Sequence, residues 1–292
     1  MTQTGIAKTL DVIVVDNAAQ IAALSNDSRI DRLFELQPAS NRATLKRTLN
    51  TLSYQGVRFP TITPKDDVTR AANQSKLWDI CNQKAADLRS AQAAMASLAK
   101  WVQGDNTITD PGILVQQAVG SIFSDQFKAT NKSWAAALTL ATAIRSNNSF
   151  KMFWWKITGK VTKAKRLLAS MVNEDLSGVH GTGVALHNIV ASIKLMRGYY
   201  ADATIRKTLT PEQAAEMSLS PPPVVLRQAT ASGEVSGCPF SKYSLLLLKL
   251  GEGDKEKQAK NLIFMTDSWS RCPAEKWVPA LLEGVWEKAI KQ

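Results

Sequence analysis

Histidine and cysteine are scarce: two and three residues in a chain of 292. His180 and His187 stand seven apart, not the four of a helical zinc pair. Cys81, Cys238 and Cys272 are odd in number, widely spaced and without a C-x-x-C pair. That excludes a disulfide framework and points to a reducing compartment. A metal site built on Cys238 or Cys272 with a histidine would need distant parts of the chain to converge, so no metal and no cofactor are expected. There is no G-x-S-x-G and no G-x-x-x-x-G-K-[ST]. The adjacent carboxylates Asp66–Asp67 and Glu174–Asp175 fall where caps and loops are expected. With so few general bases, the chain does not ask to be an enzyme. The longest weakly polar run, SWAAALTLATAI, is too short to span a bilayer. MTQTGIAKTLDVIVVDNAAQ lacks the charged start and long apolar run of a secretory leader. The expected location is intracellular and cytoplasmic, inside a virion if the chain is viral.

Acid is missing from one long stretch. Between Asp125 and Glu174 there are 48 positions with nine basic residues and no carboxylate. They are Lys128, Lys132, Arg145, Lys151, Lys156, Lys160, Lys163, Lys165 and Arg166, and they account for most of a net charge of +11. A concentrated block of one sign is the electrostatic footprint of a polyanion partner. Trp154 and Trp155 stand inside it and offer planar faces on which unpaired bases stack. A helix over 157–171 would place Ile157, Val161, Ala164, Leu168 and Met171 on one side. Lys156, Lys160 and Lys163 would line another side, a turn apart. Such a row follows phosphates without reading bases.

Hydrophobic residues make up 45% of the chain, enough for one large domain or two. Apolar spacing of three and four predicts helices through the first three quarters. The longest covers Thr69 to Val102, where no Pro or Gly occurs. Further helices are expected over 113–127, 133–145, 161–172 and 184–197, and Pro211 fits a first helical turn. SLSPPPVV then changes the texture. VVLRQATASGEVSG reads as strand and turn, and YSLLLLKLG as a buried strand or a helix. The glycines of LSGVHGTGVALHNIV precede a helix and invite the idea of an anion-binding loop, although no strand leads into it. The expected fold is mainly α: a two-lobed helical protein with a smaller mixed or extended C-terminal segment. Its parts would be an N-terminal lobe over 1–104, a basic lobe over 113–217 and a Pro-bounded segment over 218–292. That last segment ends in an amphipathic helix carrying Trp277, Leu281, Val285, Trp286 and Ile290.

Arg42, Lys46 and Arg47 form a second basic cluster. Around them, SNRATLKRTLNTL resembles the DNA-clamping arm of tyrosine recombinases over about thirteen residues. The His-x-x-Arg pair and the late nucleophilic Tyr of that family are absent, because no Tyr follows Tyr243. Recombinase activity is excluded, and the cluster is left as a phosphate contact. Taken together, these features are similar in general design to nucleocapsid proteins of RNA viruses. The expected function is sequence-independent coating of single-stranded RNA by a self-assembling, non-enzymatic protein. Its RNA site would combine the acid-free block, Trp154, Trp155 and the Arg42–Arg47 cluster. Its C-terminal helix would dock on a neighbouring copy, and a polymerase or other assembly factor would be a further partner. A duplex-DNA-binding protein and a structural matrix or scaffold protein, meeting acidic partners or a membrane surface, are the alternatives.

Overall fold

The computed structural model describes residues 12–37, 39–107, 109–146, 148–251 and 260–291. The first eleven residues, on which the absence of a leader is read, lie outside the described residues. The chain begins with β1 (Val12–Val15), α1 (Ala18–Asn26), β2 (Ile30–Asp31), α2 (Arg42–Thr51), β3 (Ser53–Tyr54) and β4 (Val57–Arg58). A helical stretch follows: α3 (Arg70–Ala86), α4 (Gln92–Val102), α5 (Gly112–Phe123), α6 (Asn131–Arg145), α7 (Ser149–Ile157) and α8 (Lys160–Met171). Next come α9 (Leu176–His180), a π-helical segment (Gly181–Ala185), α10 (Leu186–Ala201), α11 (Ala203–Thr208) and α12 (Pro211–Ser218). Strands β5 (Val225–Ala229), β6 (Gly233–Val235), β7 (Cys238–Phe240) and β8 (Leu245–Leu248) precede α13 (Lys260–Phe264) and α14 (Trp277–Lys291). The protein is mainly helical, with a small sheet region built from strands near both ends of the chain rather than from a C-terminal segment alone.

Contacts divide the chain into two compact units, each discontinuous in sequence. One holds Met1–Gln74 with Pro221–Cys272, the other Ser75–Ser220 with Pro273–Gln292. This division differs from boundaries at 104, 113 and 218. The turn-rich segment 103–112 lies within the second unit, because α4 and α5 on either side of it pack on each other.

In the first unit a sheet runs in the order β1-β8-β5-β2. β8 is parallel to β1 and antiparallel to β5. It is the apolar run LLLL, and the successive residues Leu245 and Leu246, which point to opposite faces, are both buried; a strand covered on both faces does not need alternating polarity. Leu246 and Leu248 join Val15, Ile21, Leu24, Ile30, Ala229 and Phe240 in the core. β5 brings two polar side chains into this interior. Gln228 is satisfied there: its amide accepts from Glu35 N–H at 2.7 Å and donates to Glu35 C=O at 3.0 Å.

In the second unit α14 packs on α4 and α12, and α10 on α4, α5 and α12. The single helix expected over 69–102 is broken after Ala86. The Asp87 carboxylate accepts from the backbone N–H and the guanidinium of Arg89, stabilising a turn that competes with the helix. α12 begins as expected, with Pro211 in its first turn and a capping box between Thr210 and Gln213. The helix expected over 157–171 is interrupted at Gly159, whose φ of 63° lets α7 turn into α8.

LSGVHGTG is not a loop. It is continuous helix with a π-helical turn, and its glycines are spacers. A Cβ on Gly183 would sit 2.8 Å from both Leu140 and Leu168. A π turn displaces carbonyls from their usual partners. The buried Gln116 amide takes one of them, donating to Thr182 C=O at 2.9 Å and to Ser133 C=O at 3.1 Å. The N–H groups that an anion would need are engaged as well: those of Ser177 and Gly178 donate to the Asp175 carboxylate at 2.7 and 3.0 Å, and that of Gly181 donates to carbonyls of the preceding turn.

Candidate functional site

The most unusual chemistry lies in the first unit, on the segment that leads to Cys272. α13 ends at Met265, whose φ of 51° turns the chain. Ser268 N–H donates to Met265 C=O and Arg271 N–H to Ser268 C=O, each at 3.0 Å. Cys272 N–H closes the loop on Phe264 C=O at 2.8 Å. Three guanidiniums surround Trp269 in the middle of this loop: Arg70 at 4.4 Å from its ring, Arg32 at 4.8 Å and Arg227 at 5.6 Å. Two of them also hold the loop. Arg70 donates to Trp269 C=O at 2.7 Å and Arg227 to Ser270 Oγ at 2.9 Å. Gln74 reaches Arg271 C=O at 3.4 Å.

Among the described residues these cations lack a counter-ion. Arg227 is 1% exposed and Arg32 5%. None of the three makes an ion pair with a described carboxylate. The neighbouring acid, Asp31, is occupied by the backbone N–H groups of Arg32 and Lys65 at 2.6 and 2.8 Å. Burial, and then the field of Arg70, draws the Arg227 guanidinium down to about 9, with Asp31 opposing. Burial draws Arg32 well below its usual value too, helped by Arg227 and Arg70. Arg70 is lowered mainly by burial against the pull of Asp31 and Asp67. The Nε–H groups of Arg32 and Arg227 and the Nε1–H of Trp269 are buried without an acceptor.

Buried charge of one sign with open donors is costly unless something anionic completes it. A group bearing two carboxylates fits three guanidiniums and an indole N–H. On the same loop, two residues past Ser270, stands the Cys272 thiol. Among the described residues no cluster of three His, Cys, Asp or Glu side chains is built for a bare metal ion. A single thiolate suffices where the other ligands belong to a macrocycle, as in haem. The residues thus suit a haem with its two propionates. Met265 and Ser268 also line a cavity of about 150 Å³ beside α1, room for a few waters and not for a macrocycle.

The residues expected to meet RNA lie elsewhere. Arg42 and Lys46 are exposed and Arg47 half-buried on α2 of the first unit. Lys128, Lys132, Arg145, Lys151, Lys156, Lys160, Lys163 and Arg166 are exposed in the second unit. Lys165 is buried, and desolvation draws its ammonium down to about 8. The adjacent tryptophans separate: Trp154 is exposed, while Trp155 is buried under the ammonium groups of Lys160 at 4.6 Å and Lys151 at 4.9 Å. Trp277, Leu281, Val285 and Trp286 lie in the core of the second unit, and only Ile290 of that set is exposed. His187 stacks on Trp134 at 5.3 Å, its Nε2 3.2 Å from Ala137 C=O. Arg32, Arg70 and Arg227 are not singled out by the sequence argument, which names Cys272 only to set it aside as a metal ligand. The one local signal is an arginine inside the apolar strand VVLRQA, where an unpaired cation has no structural use.

No family model matches the chain, and no curated protein sequence matches it. Solved structures do match its fold. A variant of cytochrome P450 OleT in complex with arachidonic acid superposes with a TM-score of 0.64 at 10% identity, over 94% of this chain and 80% of that one. The haem domain of CYP116B5 from Acinetobacter radioresistens gives 0.61 at 14% identity, over 98% and 83%. P450BioI, in complex with an acyl carrier protein bearing hexadec-9Z-enoic acid, gives 0.58 at 13%, over 95% and 83%. The chain therefore has the fold of cytochrome P450 haem domains.

That fold overturns the expectation of a non-enzymatic nucleocapsid-type protein. With it fall single-stranded RNA, self-assembly into a homo-oligomer and a polymerase or assembly factor as partners, the viral setting, and the duplex-DNA and scaffold alternatives. The physical cause of the error is that surface charge reports on solubility and partners, not on fold. Among the described residues no helix is long and apolar enough to cross a membrane.

Proposed function

We propose that the protein binds haem in the first unit and acts as a P450-type monooxygenase, with Cys272 as the thiolate ligand of the iron. The observation that carries this is the cluster of Arg32, Arg70 and Arg227 around Trp269, without an ion-pair partner among the described residues, on the loop that ends in Cys272. When bound, a haem ligated by thiolate supplies O–O bond cleavage, which the electron-rich sulfur favours. The chain's own residues bind and orient. Arg32, Arg70 and Arg227 pair with the propionates, and the open Nε–H groups and the Trp269 N–H supply the hydrogen bonds. Arg70, Gln74 and Arg227 hold the Met265–Cys272 loop in shape, which keeps the thiol in place. A cytoplasmic location suits a thiol that must stay reduced. Two of the similar structures hold a long-chain fatty acid or acyl group, and this is the substrate class we assign.

The test is titration of the purified protein with haemin. The reading expects saturation at one haem per chain and, on reduction with carbon monoxide, the red-shifted band typical of thiolate ligation. Cys272→Ser should lose that band. Arachidonic acid should then perturb the haem spectrum of the wild type. Unsaturable binding, or a carbon monoxide spectrum unchanged in Cys272→Ser, would overturn the assignment.

A further inference from the structure

The cavity of about 150 Å³ beside α1, in the first unit, is left unused by the haem reading. α1 contributes Ala18 and Ala22, a turn apart on one face, and their small side chains hollow it out. Leu262 and Met265 complete an apolar lining. The polar groups of that lining differ in what remains open on them. The hydroxyls of Ser25 and Ser268 are spent on Ile21 C=O at 2.7 Å and Met265 C=O at 3.0 Å. Asp267 is exposed and makes no ion pair with a described cation. α1 ends in the same lining at Asn26, with no basic residue in its last turn. Asp27, just past that end, is matched by Arg29 at 2.7 Å. The negative end of the helix and the Asp267 carboxylate both favour a cation here.

We propose that this cavity binds a small primary ammonium compound whose apolar body is a single ring or a short branched chain. A mostly apolar recess with a few polar groups that fix orientation is the usual design of a small-molecule site. A volume of this size holds one six-membered ring. The ring packs on Ala22, Leu262 and Met265, and the ammonium donates to Asp267. The Asn26 amide nitrogen already donates to Ala22 C=O at 3.3 Å, which leaves its oxygen as a second acceptor. Charge complementarity selects this ligand over a neutral or anionic one of equal size. None of these residues is assigned to the iron or to the propionates, so the proposal does not depend on haem.

Calorimetric titration of the purified chain with benzylamine tests it, with benzyl alcohol as the uncharged probe of the same shape. The wild type should bind one benzylamine per chain, at least about tenfold more tightly than benzyl alcohol, because the alcohol forgoes the charge-assisted contact. Asp267→Asn should bring the two affinities together. Ala22→Leu should fill the cavity and abolish binding with an unchanged circular dichroism melt, since Ala22 is an exposed helical position and leucine is a good helix former. A wild type without saturable binding, or with equal affinity for the two probes, would overturn the proposal. So would benzylamine binding that Asp267→Asn leaves unchanged or that survives Ala22→Leu, as binding at a haem iron would.

Discussion

Arg227→Met separates the demands of folding from those of ligand binding. In the protein without haem this guanidinium is buried and lacks a carboxylate partner among the described residues. Its displacement from the ordinary arginine range to about 9 corresponds to roughly 5 kcal/mol against the charged form in the folded chain. The folded state binds this proton less tightly than the unfolded one. The cost is therefore complete at pH 7 and lifts only as the pH climbs past about 9. Methionine fills a similar volume without charge. It forfeits the hydrogen bonds to Leu226 C=O and Ser270 Oγ, both 2.9 Å, worth about 3 kcal/mol together at the low end for charged donors. A gain of about 2 kcal/mol in the stability of the haem-free protein remains, within the range seen when buried charges give way to apolar groups. The same variant should bind haemin at least about tenfold more weakly, since one charge-assisted contact is worth about 1.5–3 kcal/mol. Urea unfolding of the haem-free protein and a haemin titration read the two effects separately. A variant less stable than the wild type that binds haemin equally well would refute the reasoning.

Three further predictions concern the second unit. Gly120→Ala should cost about 3 kcal/mol in urea unfolding, because its Cβ would meet the Phe127 ring at 2.1 Å. Gln116→Leu should cost about 3 kcal/mol by removing three buried hydrogen bonds at about 1 kcal/mol each, those with Thr182 C=O, Ser133 C=O and the Ser133 hydroxyl; a circular dichroism melt will show the loss. Trp286→Ala should cost about 4 kcal/mol as a core truncation, since Trp286 is fully buried and meets Tyr200 edge-on at 5.9 Å. An unfolding midpoint unchanged by Trp286→Ala would contradict the packing of α14.

Much of the helical framework was legible from spacing and caps alone. α5, α6, α8 and α12 follow apolar repeats that need no distant partner, and Thr210, Pro211 and Gln213 state where α12 starts. The break after Ala86 was missed because one local turn, built by Asp87 on Arg89, outweighed a continuous repeat. The glycines of LSGVHGTG look the same in a loop and in a crowded helix. What separates the two is the neighbour each one meets.

By itself the sequence determined the helix class, the start of α12 at Pro211, and an acid-free block with two tryptophans at its centre. These follow from covalent and near-neighbour forces. Only the tertiary structure decided that Trp155 turns inward while Trp154 faces out, and that LLLL is an inner strand. It alone decided that Arg32, Arg70 and Arg227, up to 195 positions apart, converge on one indole beside a cysteine. Convergence of that kind is a property of long-range packing, so no window of sequence carries it, and the charge that was visible locally drew the functional argument to a nucleic-acid partner that the fold overturns.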